Sequence, residues 1–133
     1  MNRLVLWHGW GMQPGAWDGL TARLASQFGT QLDIQAQPLP GYAGTAAPAS
    51  YTPDALVDSM LADVPAPVTL CGWSLGAMLA LHAAQRHPGK IARLILIGAT
   101  PSFVQRPNWP HGMTQQALAE FAAAVDADGR AHV

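Results

Sequence analysis

Cysteine is nearly absent from this 133-residue chain, charge is sparse, and no apolar run is long. The single cysteine, Cys71, excludes an intrachain disulfide. It sits in an apolar stretch, so a buried, reduced thiol is expected. Only 11% of the residues are charged, 7 basic against 8 acidic, for a formal net charge of −1. Neither the basic footprint of a nucleic-acid binder nor that of a membrane-surface protein is present. Four apolar residues separate Arg3 from His8, too few for a signal-peptide core, and nothing approaches the roughly 20 apolar residues of a membrane span. A cytoplasmic protein with no membrane or nucleic-acid partner is expected from these absences. No internal repeat, no Cys/His/carboxylate cluster with metal-ligand spacing and no glycine-rich phosphate loop occurs, so no metal or cofactor is expected.

Half of the residues are apolar, which with so little charge fits an α/β domain whose parallel sheet is buried on both faces. The length suffices for one such core. Leu4-Val5-Leu6-Trp7 is a continuous apolar strand. Trp17, Leu20, Leu24 and Phe28 lie on one stripe of a helix that Gly29 ends. Leu32 to Ala36 makes a weak second strand, and Pro38 to Pro53 a loop rich in small and turn residues. A short helix follows over Pro53 to Asp63, burying Leu56, Met60 and Val64. Val68 to Cys71 is a buried strand, Leu75 to His87 a helix closed by Pro88-Gly89, and Ile91 to Ile97 a strong strand. Residues 101–112, with Pro101, Pro107, Pro110 and Gly112, read as irregular. Thr114 is placed to cap a last helix carrying Leu118, Phe121, Ala122 and Val125 on one face. Strand and helix alternate, which predicts a three-layer α/β sandwich around a mostly parallel sheet with right-handed crossovers.

Chemistry concentrates at Gly72-Trp73-Ser74-Leu75-Gly76. A G-x-S-x-G pattern between a buried strand and a helix predicts a nucleophile elbow, a strained turn that lifts a serine hydroxyl above the sheet. The turn is so tight that a Cβ at Gly72 or Gly76 would strike a neighbouring element. The alternative is a serine in an ordinary βα turn. Gly76, Ala77, Ala80, Ala83 and Ala84 are small enough for the following helix to lie close against the sheet. The first strand runs into His8-Gly9-Trp10-Gly11, and Leu39-Pro40-Gly41-Tyr42 follows the second, at the strand ends where α/β ligands collect.

Those three motifs, together with His87-Pro88, occur in the order and spacing of the α/β-hydrolases, and the chain resembles that superfamily over nearly its whole length. More narrowly, H-G-W-G, G-W-S-L-G and the Thr100-Pro101-Ser102-Phe103 and Asn108-Trp109-Pro110 stretches resemble the pimeloyl-[acyl-carrier protein] methyl ester esterases of biotin synthesis. The resemblance implies a serine carboxylester hydrolase that uses no cofactor. Ser74 would attack the ester carbonyl, while the backbone N–H groups of Trp10 and Leu75 hold the oxyanion. The Trp10 indole would wall the acyl pocket, the alternative being simple core packing. His8 reads as a loop-shaping residue, since this loop contributes backbone donors. The resemblance also implies that residues 1–100 are the N-terminal part of the hydrolase core and residues 101–133 the beginning of a helical lid insertion. Basic lid residues, Arg130 here, would meet an acidic acyl carrier protein. A lactonase or thioesterase on the same fold, or a non-catalytic binding module, remains open from the residues alone.

Two departures from the family pattern stand out. Pro38 occupies the position before Leu-Pro-Gly where the family usually has aspartate. The acid and histidine that follow the serine in this fold are not evident. Glu120, Asp126, Asp128 and His132 come in the formal order, but in the lid segment with no strand to aim them. His82 and His87 belong to the helix after Ser74 and read as structural or surface residues, which leaves His111 as the least implausible internal base. The expectation is a truncated α/β-hydrolase fold, nearly inactive by itself. A sheet ending at Ile91 to Ile97 would leave an apolar edge, so self-association or a partner through residues 91–97 is expected.

Overall fold

The structure is a computed structural model that describes residues 2–129, with side chains through residue 125. Four strands, β1 (Asn2–Trp7), β2 (Leu32–Gln37), β3 (Val68–Trp73) and β4 (Ile91–Ile97), form one sheet in the order β2-β1-β3-β4. Every pairing is parallel. The helices are α1 (Asp18–Phe28), α2 (Pro53–Leu61), α3 (Leu75–Arg86) and α4 (Gln115–Gly129). The chain steps outward from β1 to β2, then crosses back to β3 and steps outward the other way to β4. The order therefore reverses between β1 and β3. In open parallel sheets the crevice at the carboxyl ends of such a pair is where ligands bind.

Side chains alternate across the sheet. Val5, Trp7, Val68 and Leu70 point to one face, where Leu56, Val57, Met60 and Leu61 of α2 and Leu79, Ala80 and Ala83 of α3 cover them. Leu4, Leu6 and Cys71 point to the other face, under Trp17 and Leu24. The result is the expected three-layer sandwich, with β1 and β3 at its centre. Each aliphatic side chain buried here contributes about 1.5–3 kcal/mol relative to exposure. Cys71 is a free, buried thiol, and burial pushes its pKa up.

Element by element, the strand expectations hold to within two residues. Ile91–Ile97 coincides with β4, and Val68–Trp73 extends the expected third strand by two residues at its carboxyl end. Thr114 caps α4, its Oγ1 accepting the Ala117 N–H at 3.1 Å. Thr52 does the same for α2 through the Ala55 N–H at 3.2 Å, ahead of Pro53 in the first turn. Two details differ. Val57 and Leu61 are buried beside Leu56 and Met60, because α2 packs alongside α3 on the same face of the sheet and presents a broader buried face. On α1 the expected stripe is only partly covered. Trp17 is buried in a 3₁₀ turn (Pro14–Trp17) and Leu24 packs on the sheet, but Leu20 and Phe28 lie exposed. Those two sit about 40° to either side of Leu24 around the helix, so a single helix resting on Leu24 leaves both flanks open.

Candidate active site

Ser74 connects β3 to α3 with φ 57 and ψ −117. A non-glycine residue there carries strain of roughly 1–3 kcal/mol, so its surroundings must impose the conformation. They do so through the backbone. The Ser74 N–H donates to the Ile97 carbonyl at 2.9 Å, and its carbonyl accepts from the Ala77 and Met78 N–H groups at 2.9 and 3.1 Å. Both motif glycines are sterically required. A Cβ on Gly72 would lie 2.6 Å from Ala77 Cα and would strike the Gly76 carbonyl. A Cβ on Gly76 would lie 2.7 Å from the Trp7 carbonyl carbon and would strike its oxygen. The helix thus starts hard against the end of β1, and the serine is carried out of the sheet.

The loop after β1 folds beside it. Gly9 to Met12 is a tight turn, closed by the Met12 N–H on the Gly9 carbonyl at 3.2 Å, with Gly11 at φ 73. That positive φ at the third position is what a type II turn demands. A Cβ on Gly9 would touch the Ser74 Cβ at 3.4 Å, which places the turn directly against the serine. Neither the Trp10 N–H nor the Leu75 N–H has an acceptor among the described residues. Leu75 is the first residue of α3, where backbone donors lack intrahelical partners.

His8 lies fully buried beneath this turn. Its Nδ1 donates to the Gly9 carbonyl at 2.8 Å and its Nε2 accepts the Leu39 N–H at 3.0 Å. An amide N–H can only donate, so the proton belongs on Nδ1. Burial pushes the imidazole pKa down, against the opposing pull of the Gly9 carbonyl. Both nitrogens are committed to backbone, which makes His8 a loop-shaping residue rather than a proton carrier toward Ser74.

Ser74 opens into an apolar cavity of about 290 Å³, walled by Trp10, Met12, Trp73, Phe103, Met113 and Phe121. The Trp10 and Phe121 rings meet edge-on at 5.3 Å. Trp10 is therefore a cavity wall, half-buried, and not simply core. Trp73, Phe103 and Met113 were not singled out from sequence. Phe103 and Met113 arrive through the irregular segment, which is internally tied. Ser102 Oγ donates to the Val104 carbonyl at 2.7 Å and accepts from Arg106 Nε at 3.1 Å, and Val104 bridges to Met113. Trp73 and Phe103 lie in stretches that carry a local signal, G-W-S-L-G and T-P-S-F, though neither signal marks a cavity wall. Met113 reaches the site through a contact between residues nine apart, which no short pattern encodes.

Among the described residues, no histidine or carboxylate is hydrogen-bonded to Ser74 Oγ. His82 pairs with Asp54 and His87 with Asp58, each at 2.6 Å, on the outer side of α2 and α3. His111 packs edge-on against Trp109 at 4.9 Å and does not line the serine cavity. Glu120 accepts from the Gln116 side chain on the exposed side of α4. The side chains of Asp126 and Asp128, and all of Arg130 and His132, lie outside the described residues. No group of three or more metal-ligating side chains is present among the described residues, and no described helix is long and apolar enough to cross a membrane.

Residues 4–132 match the alpha/beta hydrolase family. The chain belongs to that family. Among its curated relatives, a pimeloyl-[acyl-carrier protein] methyl ester esterase of Aromatoleum aromaticum is 43% identical over 128 residues, covering 91% of this chain and 49% of that protein. The esterase of the same name from Chromobacterium violaceum is 35% identical over 123 residues, 92% of this chain and 47% of that one. This hydrolase chain thus spans about half the length of the curated relatives it matches. Solved structures agree on the fold. One from a study of Nitrososphaera gargenis carboxylesterases superposes with a TM-score of 0.73 at 23% identity, covering 96% of this chain and 46% of that one. A probable hydrolytic enzyme of Pseudomonas aeruginosa gives 0.64 at 26% identity, covering 71% and 31%.

Proposed function

We propose that Ser74 is the nucleophile of a serine carboxylester hydrolase that demethylates a pimeloyl-acyl-carrier-protein methyl ester in the cytoplasm. The observation that carries this reading is the pairing of a strained serine at the β3–α3 turn with two unused backbone donors, on Trp10 and Leu75, over an apolar cavity. Ser74 Oγ attacks the ester carbonyl carbon, and the carbonyl oxygen becomes an oxyanion held by those two N–H groups. The tetrahedral species collapses by expelling the methoxy group, which leaves as methanol with the proton lost from Ser74 Oγ, and water then hydrolyses the acyl-serine to the carboxylic acid and free serine. The chemistry calls for no cofactor. Removing one donor from such a hole costs on the order of 10²–10³ in kcat, so two donors are a substantial part of the rate.

In this reading residues 1–100 form the N-terminal part of the hydrolase core. Residues 101–133 begin a lid that closes the acyl cavity with Phe103, Met113 and Phe121, and an acyl carrier protein delivers the chain to it. The base and acid of the triad belong to the part of the family's length that these residues do not span. Without a base the serine is a weak nucleophile, and the half-exposed β4 edge supports association with a second chain.

The test is turnover of a p-nitrophenyl ester by the 133-residue chain beside its Ser74→Ala variant, with intact-mass detection of a fluorophosphonate adduct. Feeble hydrolysis and slow single-site labelling, both abolished by Ser74→Ala, are expected. Rapid Ser74-dependent turnover would overturn the assignment of the base to another segment. No adduct after prolonged exposure would leave a binding module. Profiling the methyl ester against lactones and thioesters separates the demethylase from other hydrolases of the family.

A further inference from the structure

The oxyanion turn is built on glycine, and glycine has no preference of its own for the conformation seen. Gly11 at φ 73 would occupy the opposite hand about as readily, and in a type I turn the Trp10–Gly11 peptide, which carries the Gly11 N–H and the Trp10 carbonyl, is reversed. Something outside the turn must select its geometry. That something is Tyr42, 31 residues away in the second loop, whose hydroxyl oxygen accepts the Gly11 N–H at 3.0 Å.

Tyr42 is itself held firmly enough to serve as a reference point. Its N–H donates to the Leu39 carbonyl at 2.9 Å across the Leu39-Pro40-Gly41-Tyr42 turn, and its carbonyl accepts from the Thr45 N–H and hydroxyl at 3.0 and 2.7 Å. Its ring stands edge-on to His8 at 5.0 Å. His8 bonds in turn to both loops, the Gly9 carbonyl on one side and the Leu39 N–H on the other. The contacts close a circuit from His8 through Gly9, Gly11, Tyr42 and Leu39 back to His8. Within it the Gly11 N–H has a fixed acceptor, while the neighbouring Trp10 N–H has none among the described residues.

We propose that Tyr42 is a positioning residue whose hydroxyl, by accepting the Gly11 N–H, anchors the Trp10–Gly11 peptide and so steadies the turn that carries the Trp10 N–H beside Ser74, where an oxyanion would form. This rests on the esterase reading above. It differs from a packing role for the ring, since it assigns the effect to one oxygen atom.

The experiment compares the 133-residue chain with Tyr42→Phe and Tyr42→Leu. Phenylalanine keeps the ring against His8 and removes only the acceptor; leucine removes both. Two readouts are taken: amide hydrogen exchange at Gly11, and the rate at which an alkyl fluorophosphonate modifies Ser74. Tyr42→Phe is expected to speed Gly11 exchange and to slow Ser74 modification, each about tenfold, with a melting temperature lowered by less than in Tyr42→Leu. Tyr42→Leu is expected to do the same and to lower the melting temperature further. Modification of the Phe variant at the parent rate, with only the Leu variant slowed, would assign the effect to ring packing and overturn the proposal. If the parent chain is not modified at all, the esterase reading fails by itself. Unaltered Gly11 exchange in Tyr42→Phe would then also overturn the assignment of the turn to Tyr42.

Discussion

The inner strands β1 and β3 and the edge strand β4 are all apolar runs in the sequence, yet they end in different environments. Leu6, Trp7 and Leu70 are fully buried, whereas Ile95, Leu96 and Ile97 stay 38–46% exposed. The inner strands have paired neighbours on both sides and a helix layer over each face. β4 has β3 on one side only among the described residues. Both parts of the candidate site, the Ser74 turn and the Trp10 turn, grow from the inner pair. The edge contributes one thing to it, the Ile97 carbonyl that receives the Ser74 N–H. Geometry is therefore set where packing is tight on all sides, and the β4 edge is left open among the described residues.

The sharpest way to break that contrast is at its tight end. Gly76→Ala would press a methyl group against the Trp7 and His8 carbonyls, backbone atoms of a buried strand that cannot rotate away. A loss of about 3 kcal/mol or more in folding stability is expected by urea denaturation. A loss under about 1 kcal/mol would show that the inner strands yield. At the loose end, Ile95 and Ile97 share one face with Arg93. The double variant Ile95→Lys, Ile97→Lys is expected to shift the chain toward monomer in sedimentation velocity, at a stability change within about 1 kcal/mol. An equally self-associated double variant would move the interface away from β4.

The same contrast explains how far the sequence could be read. Periodicity and the turn glycines located the four strands and four α-helices of the described residues and the Ser74 and Trp10 turns, because each is encoded by residues close in sequence. Gly72 and Gly76 even announced their steric reason in the pattern. That Ile91 to Ile97 forms an edge follows from the resemblance and not from its residues, since Leu4 to Trp7 and Ile91 to Ile97 are both apolar runs and differ in their neighbours. The cavity wall was also hidden. Trp73 belongs to the G-W-S-L-G motif, but nothing in the motif says that its ring walls a cavity, and Met113 comes to the site through its bridge to Val104. Tyr42 was legible as part of a loop, but its bond to Gly11 spans 31 residues. Such a contact leaves no trace in local composition.

Strain at the serine provides a smaller effect of opposite sign. At φ 57 and ψ −117 any side chain is disfavoured, and glycine is not. Ser74→Gly is expected to raise stability by about 1 kcal/mol while abolishing fluorophosphonate labelling. Ser74→Ala, which keeps the Cβ, should abolish labelling without that gain. Equal stability of the two variants would mean that the backbone, not the serine, absorbs the conformation.

The smallest effect belongs to the helix layer behind the inner strands. Asp58 of α2 accepts from Arg86 Nε and Nη2 at 2.8 and 2.9 Å and pairs with His87 Nε2 at 2.6 Å, which clasps α2 to α3 at the surface. Arg86 first, and His87 after it, hold the Asp58 carboxyl well below the usual carboxylate range. A carboxylate whose folded pKa is depressed contributes its stability above the unfolded value and loses it as pH falls through the folded one. The window therefore opens below about pH 4, the ordinary range of aspartate. The clasp is solvent-exposed, so screening keeps its contribution small. Asp58→Asn is expected to lower the melting temperature slightly at pH 7, and the gap to the parent should narrow with added salt. It should narrow further as pH is taken below about 4, where the aspartate of the parent's unfolded chain takes up a proton while the folded carboxylate stays charged. A gap that stays constant through both changes would assign the loss to helix packing rather than to the ion pairs. The α2–α3 layer would then belong wholly with the tightly packed centre that carries the site.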